Sequence, residues 1–345
     1  MAAPFIVDRS SVTQIMAWVL AALLPGVAVY VWLFGPGIVV TLALATATAV
    51  AAEAAMLKLR GYPAKPFLTD LSAIVTAWLL ALSLPALAPW WLIVAGTLFA
   101  IVVAKHLYGG LGQNIFNPAM VGYAVLIVSF PVQMTQWPGP LELTAAPLTL
   151  AQSATVIFGG EVPRATLDAV TMATPLDTLR TGLLQQLTVD EILSRPIFGL
   201  YGGTGFEWLA AAFLLGGLVL WALRIISWQV PLAFLAGVWL AAGFLHFFDA
   251  GRFGAPWFHL FAPSVMLGAF FIATDPVSGA TTPRGKLIFG LGAGVLTIVI
   301  RTWGGYPDGV AFAILLMNLS VPLIDAWTQP PVYGESALKH REPPA

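Results

Sequence analysis

The stretch Leu167-Asp-Ala-Val-Thr171-Met-Ala-Thr174-Pro-Leu-Asp-Thr-Leu-Arg180 is a hydroxyl-rich, locally polar segment inside the one long interruption of an otherwise almost continuously apolar chain. Its position divides the sequence. Before it, apolar runs long enough to cross a bilayer, about 20 residues each, fall near 14–34, 36–57, 71–87, 89–108 and 118–134. After it they fall near 206–227, 229–248, 258–275, 287–305 and 309–327. The pattern predicts an all-α polytopic membrane protein of about ten transmembrane helices: a first five-helix block over 1–134, an external connection over 135–205, a second five-helix block over 206–327 and a polar tail over 328–345. Two blocks with an odd number of spans must run through the membrane in opposite senses, the arithmetic of an inverted repeat, although no strong residue-level self-similarity accompanies it.

Composition bounds the function classes. The chain of 345 residues is 59% hydrophobic and 9% charged, against about 25% charged in soluble domains. A formal net charge of −1 offers no electrostatic footprint for nucleic acid. Cysteine is absent, which removes thiolate chemistry and Cys-ligated iron–sulfur clusters from this subunit. The apolar N-terminal segment has no small-residue cleavage site after a basic region and reads as the first membrane helix rather than a removed signal.

Lysine and arginine placement predicts orientation. With the N-terminus inside, Arg9, Lys58, Arg60, Lys65, Lys105, Arg224, Arg284, Lys286, Lys339 and Arg341 fall on the cytoplasmic side, and Arg164, Arg180, Arg195, Arg252 and Arg301 outside. Both termini are then cytoplasmic and the 135–205 connection is external.

Two places predict helices broken within the membrane. The third run is short and ends at Leu84-Pro85, and Gly109-Gly-Leu-Gly112-Gln-Asn114-Ile-Phe-Asn117-Pro118 is too polar and glycine-rich for plain lipid-facing helix. Carriers with discontinuous helices bind solutes near the midplane, while the same amides could simply satisfy the backbone of the break. Asp70 and Asp275 lie at predicted helix ends, where capping accounts for an acidic residue. Glu53, in Ala-Ala-Glu-Ala-Ala near the cytoplasmic end of its span, is expected to snorkel to the interface, with an ion path as the alternative. Gly290-Leu-Gly292-Ala-Gly294 follows no strand and reads as small-residue helix packing rather than a dinucleotide fingerprint. No metal-ligand set and no acid–base catalytic group is evident.

Four motifs in order carry a family resemblance over essentially the whole chain: Asp70-Leu-Ser-Ala-Ile-Val-Thr-Ala with Leu84-Pro85; Lys105-His-Leu-Tyr-Gly-Gly-Leu-Gly-Gln-Asn114-Ile-Phe-Asn117-Pro-Ala-Met; Asp168-Ala-Val-Thr171-Met-Ala-Thr174; and Ala273-Thr-Asp275-Pro-Val-Ser-Gly-Ala-Thr-Thr-Pro-Arg284-Gly-Lys286. Together they resemble the D-subunit family of the Rnf complex, an ion-translocating ferredoxin:NAD oxidoreductase, which is similar to the B subunit of the sodium-pumping NADH:quinone oxidoreductase. The short segment before the first span favours the Rnf branch.

The resemblance implies a urea-transporter-like fold, a bacterial inner-membrane location and partner subunits that include a second covalent-FMN subunit and iron–sulfur subunits, with membrane lipid around them. It also implies an FMN joined through its phosphate to a threonine in a pattern resembling Asp-x-x-Ser/Thr-Gly-Ala-Thr. Asp275-Pro-Val-Ser278-Gly279-Ala280-Thr281 fits every position, whereas Asp168-Ala-Val-Thr171-Met172-Ala173-Thr174 carries Met172 in place of glycine. The family's flavin transfer takes place on the outer face, so topology selects Thr174, with Asp168 and Thr171 as recognition residues. Pro175 disfavours helix at Thr174 and holds its hydroxyl on extended chain. Without the family context the same residues read first as a helix start, with Thr174 as N-cap and Pro175 at the first helical position. Asn114 and Asn117 match the family segment that resembles a noncovalent flavin site, for riboflavin. The alternative function is an inverted-repeat solute channel or transporter with no redox role.

Overall fold

The computed structural model describes residues 11–144, 147–160, 169–306 and 308–330. Among these residues the protein is helical apart from one short two-stranded ribbon and an isolated bridge.

Helix α1, Val12–Phe34, starts with a capping box: Ser11 accepts from the Gln14 backbone N–H, and the Gln14 side chain accepts from the Ser11 N–H. This satisfies two of the donors that a helix start leaves open. Gly35, at φ 94°, turns the chain into α2, Gly37–Leu59. A short α3, Ala64–Leu68, leads to α4, Ser72–Leu82, through Leu71 at φ 65°, a left-handed conformation costly for a branched side chain. Helix α5 runs over Trp90–Leu98 and passes into π-helical Phe99–His106. Helix α6, Pro118–Ser129, is capped by the Asn117 side chain, which accepts from the Met120 N–H. It is followed by a separate turn α7, Pro131–Met134.

The 135–205 connection is a folded unit. Trp137–Pro138 (β1) pairs antiparallel with Thr171–Met172 (β2), Trp137 opposite Met172 and Pro138 opposite Thr171. Three short helices accompany the ribbon: α8, Leu150–Ile157, α9, Pro175–Leu184, and α10, Val189–Leu193. Leu176, Leu179, Val189, Ile192, Ile197 and Phe198 form a small core that closes on Phe258 and Ala262 of the second block.

The second block contains α11, Phe206–Ala222, α12, Gln229–Phe248, α13, Pro256–Phe261, and α14, Val265–Leu267, which continues as π-helix over Gly268–Ile272. Helices α15, Pro283–Trp303, and α16, Val310–Thr328, complete it. Helices α12 and α15 pack backbone to backbone through Gly237, Gly290 and Gly294, where a Cβ would collide with the facing main chain. The small-residue packing expected of Gly290 and Gly294 is thus observed.

Among the described residues, six helical stretches are long and apolar enough to cross a membrane: Val12–Phe34, Gly37–Leu59, Ala64–Leu82, Gln229–Phe248, Pro283–Trp303 and Val310–Thr328. Trp90–His106, Pro118–Ser129 and Phe206–Ala222 are shorter, and the run predicted at 258–275 is split between α13 and α14. The architecture is that of a polytopic helical membrane protein. Two boundaries differ from expectation. The third span ends at Leu82, close to the expected Leu84-Pro85, but is also interrupted at its start, around Leu71, and the fifth ends at Ser129 instead of continuing to 134. At about 1.5 Å per residue, α4 and α6 are near 17 and 18 Å long, little more than half of a bilayer core of about 30 Å.

Candidate functional site

Two cavities lie at opposite ends of the same helices. Ser72, Val75, Thr76 and Leu79 of α4 line one, while Leu82 and Ser83 line the other. Pro118 and Ala119 of α6 line the first, while Met120, Tyr123 and Ile127 line the second.

The cavity at the Leu82 end encloses about 1100 Å³ including its mouth. Its wall is largely aromatic and apolar, with Tyr30, Tyr123, Trp137, Phe206 and Phe213 drawn from three helices and the ribbon. Thr174 and Asp177 sit at this wall too. Thr174 is half-buried, with φ −70° and ψ 161°, so the extended geometry expected before Pro175 is present. It is also the N-cap of α9: its Oγ1 accepts from the Asp177 backbone N–H at 3.2 Å. The two descriptions coexist, because an N-cap residue is extended while its side chain faces the helix end.

The ribbon and the small core fix this position. Pro175 and Leu176 are buried, and Pro175 packs where a side chain at Gly203 would lie. Met172, which departs from the family glycine, fills the space beside Gly139, where a Cβ would come within 2.5 Å of its sulfur. The methionine thus serves the packing of β2 on β1. Thr171 lies on β2 beside it, and Asp168 lies outside the described residues.

The opposite cavity, about 900 Å³ including its mouth, brings Asn114 and Asn117 together with Lys105, Ser72 and Asp275. Both amides have structural work. Asn117 caps α6, donates through Nδ2 to the Ile272 carbonyl at 3.3 Å, and its backbone N–H donates to Asn318 Oδ1. Asn114 Nδ2 donates to the Phe116 carbonyl. Asn318 in turn donates to the Ser278 carbonyl, so an asparagine chain joins the two blocks across the break before α6. Asp70 and Asp275 behave as local caps: Asp70 Oδ1 accepts from the Ser72 N–H and hydroxyl, and Asp275 accepts from the Val277 N–H and the Ser278 hydroxyl.

Glu53 does not snorkel. It is 2% exposed, and both its carboxylate oxygens accept from Lys105 Nζ at 2.9 Å. Lys105 also donates to Ser72 Oγ. His106 Nε2 lies 3.0 Å from Glu53 Oε2, while its Nδ1 faces Arg60 Nη1 at 3.2 Å. Because a guanidinium can only donate, Nδ1 accepts from Arg60, while Nε2, close to Glu53, makes no hydrogen bond. No local signal at Glu53 announced this, since its partner is 52 residues away.

Thr281, the literal motif match, lies away from both cavities. Its N–H and hydroxyl donate to Asp325 near the end of α16. Among the described residues no group of three or more His, Asp or Glu side chains forms a metal site.

The family model described as NQR2, RnfD, RnfE matches residues 1–334. The chain belongs to the NQR2, RnfD, RnfE family. A protein of Vibrio cholerae serotype O1, named as the D subunit of an ion-translocating oxidoreductase complex, is 50% identical over 339 residues, covering 96% of this chain and 97% of that one. The protein of the same name from Aeromonas hydrophila is 50% identical over 340 residues, with the same coverage. That from Escherichia fergusonii is 48% identical over 340 residues, again covering 96% and 97%. In this member of the NQR2, RnfD, RnfE family, the residues singled out at the break before α6 and at the start of α9 therefore lie at two separate cavities.

Proposed function

We propose that the chain is the flavin-carrying membrane subunit of a redox-driven ion pump of the bacterial inner membrane. It relays electrons between ferredoxin and NAD couples while sodium or protons are translocated, together with partner subunits that include a second covalent-FMN subunit and iron–sulfur subunits. The relatives, each named as the D subunit of an ion-translocating oxidoreductase complex, support the class. The observation that carries the cofactor reading is the position of Thr174, a hydroxyl at a helix N-terminus and on the wall of an aromatic cavity.

The residues fit a flavin joined through its phosphate. The start of α9 faces the Thr174 side chain, whose Oγ1 accepts from the Asp177 N–H, the setting in which helix starts hold phosphate. The cavity beyond offers ring faces and methionine side chains to a planar heteroaromatic group. An ester at Oγ1 leaves that ring chemically free, and the tether replaces a binding equilibrium by a high local concentration. When bound, the flavin supplies stepwise electron transfer. Tyr30, Tyr123, Phe206 and Phe213 exclude water from it, and the folded external unit fixes the angle at which Thr174 presents the ester.

The second cavity would hold a noncovalent flavin, riboflavin, with Lys105 and the Asn114 and Asn117 amides at its wall. The fold reading is the urea-transporter-like inverted repeat of ten spans, with both termini cytoplasmic and the Thr174 cavity on the periplasmic side. The deciding experiment is in-gel fluorescence of the denatured subunit, wild type beside Thr174→Ala. A denaturation-resistant flavin on Thr174 belongs to the redox subunit, whereas a colourless protein that conducts a solute when isolated would establish the channel reading instead.

A further inference from the structure

A third cavity, about 1770 Å³ including its wide mouth, lies beside α9 at the ends of α12 and α15. Three of its side chains carry a buried nitrogen without a hydrogen-bond partner: Arg180 Nη1, His259 Nδ1 and Arg301 Nε. Native proteins rarely leave one such group unpaired, and three on one wall call for a ligand. His259 and Arg301 are 8% and 7% exposed.

The charges define its chemistry. Arg301 uses its two terminal nitrogens inward, donating to the His259 and Pro263 carbonyls and to Asp308 Oδ1, each at 3.1 Å. Its Nε is what remains for the cavity. Arg252 is balanced by Asp249. Among the described residues, no carboxylate lies within ion-pair distance of Arg180. The wall therefore carries one uncompensated positive charge and two guanidinium donors, the combination that recognises a tetrahedral oxyanion with forked hydrogen bonds. Leu184 and Trp303, 72% and 63% exposed, stand at the rim, and such tryptophans mark the depth of lipid headgroups.

We propose that this cavity is a phosphate-binding site in which Arg180, His259 and Arg301 donate to the oxyanion, supplied either by an anionic phospholipid headgroup or by free phosphate. It is separate from the Thr174 cavity: Thr174 caps the start of α9, and Arg180 projects from its second turn into the other space. The proposal does not depend on the flavin.

The test uses the intact complex, delipidated in a neutral detergent, with the thermal unfolding midpoint of this subunit followed against inorganic phosphate and, separately, against phosphatidylglycerol in mixed micelles. Sodium chloride at matched ionic strength controls for general salt effects. Wild type should be stabilised in a saturable manner by at least one ligand. Saturation by phosphate identifies the free anion, and saturation by the lipid alone identifies the headgroup. Arg180→Gln removes a guanidinium that holds no other part of the described protein, so its midpoint without ligand should equal wild type, and its apparent affinity should fall about tenfold or more. Arg180→Lys keeps the charge but loses the fork and should bind severalfold more weakly; it decides the matter if the glutamine variant is not recovered. No saturable stabilisation of wild type by either ligand, or wild-type affinity in the substituted proteins, overturns the proposal.

Discussion

Replacing Thr174 by alanine removes two functions of one oxygen. The first is the N-cap of α9, a single hydrogen bond of 3.2 Å from the Asp177 N–H to Oγ1, whose loss costs about 1 kcal/mol. That exceeds the effect of deleting an uninvolved surface hydroxyl, usually within about 0.5 kcal/mol, so Thr174→Ala should lower the unfolding midpoint measurably. It should not unfold the external unit, because Leu176 and Leu179 remain buried in its core and Pro175 still fixes the first helical φ. The second is the ester oxygen, and here the effect is complete: no flavin fluorescence after denaturation, and no turnover of the complex. Thr174→Ser separates the two, since a serine keeps both cap and hydroxyl; it should retain the midpoint and carry flavin. Thr281→Ala deletes a hydroxyl bonded to Asp325 and should leave the flavin in place, whereas Thr171→Ala should weaken attachment by disturbing recognition while Thr174 still accepts the phosphate. The assay is in-gel fluorescence with peptide mass mapping of the labelled fragment. Fluorescence retained in Thr174→Ala, or a flavin mapped to Thr281 or Thr171, refutes the assignment even though the family stands.

Further outcomes follow from the remaining sites. Glu53→Gln leaves Lys105 buried and uncompensated, which should cost about 3–5 kcal/mol in detergent unfolding, whereas Glu53→Met with Lys105→Met should recover much of that loss; equal midpoints for Glu53→Gln and wild type would mean the pair is solvated. Acid extraction of the native complex should release a flavin without phosphate, and Asn117→Ala should diminish it; release of none assigns the second site elsewhere. Reporter fusions at residues 70 and 340 should signal from the cytoplasm and at 160 from outside, and an inside signal at 160 would remove the topological ground for choosing Thr174.

Whatever depended on local pattern was legible in the sequence. The division into two apolar blocks around 135–205 needed only hydropathy, and the helix start at Thr174-Pro175 needed only neighbouring residues, because an N-cap acts over three positions. The folded character of the external unit was not legible, since its core closes on Phe258 and Ala262, far along the chain. The Thr174 cavity was hidden for the same reason: its aromatic wall comes from α1, α6, α11 and the ribbon, and no window of sequence contains them together. Proline marked only the end of the third span. Pro85 lies where the chain has just left α4, while the interruption at its start falls at Leu71, whose left-handed backbone carries no compositional signature. Glu53 misled because its alanine surroundings look lipid-facing, although alanine equally permits the close approach that buries Lys105 against it.

The two interrupted spans supply the self-similarity that the residues concealed. In the first block a short helix, a left-handed non-glycine residue and a second helix follow one another as α3, Leu71 and α4; in the second they do so as α13, Ser264 and α14. In each block a cation near the end of the following span reaches back to the interruption. Lys105 bonds Ser72 Oγ, and Arg301 bonds the Pro263 carbonyl and approaches Ser264 Oγ at 3.5 Å. Each cation is neutralised by a nearby carboxylate, Glu53 or Asp308. The directions are opposed: α4 begins beside Asn114 and ends beside the Thr174 cavity, whereas α14 begins at that cavity and leads to Phe271 and Thr274 beside Asn114. The interruption thus recurs in opposite sense, with different residue types at each place. Both cations turn their terminal nitrogens into the protein: Arg301 sits at the His259 and Pro263 carbonyls, which a continuous helix would have satisfied by itself, and Lys105 sits at the Ser72 hydroxyl and the Glu53 carboxylate.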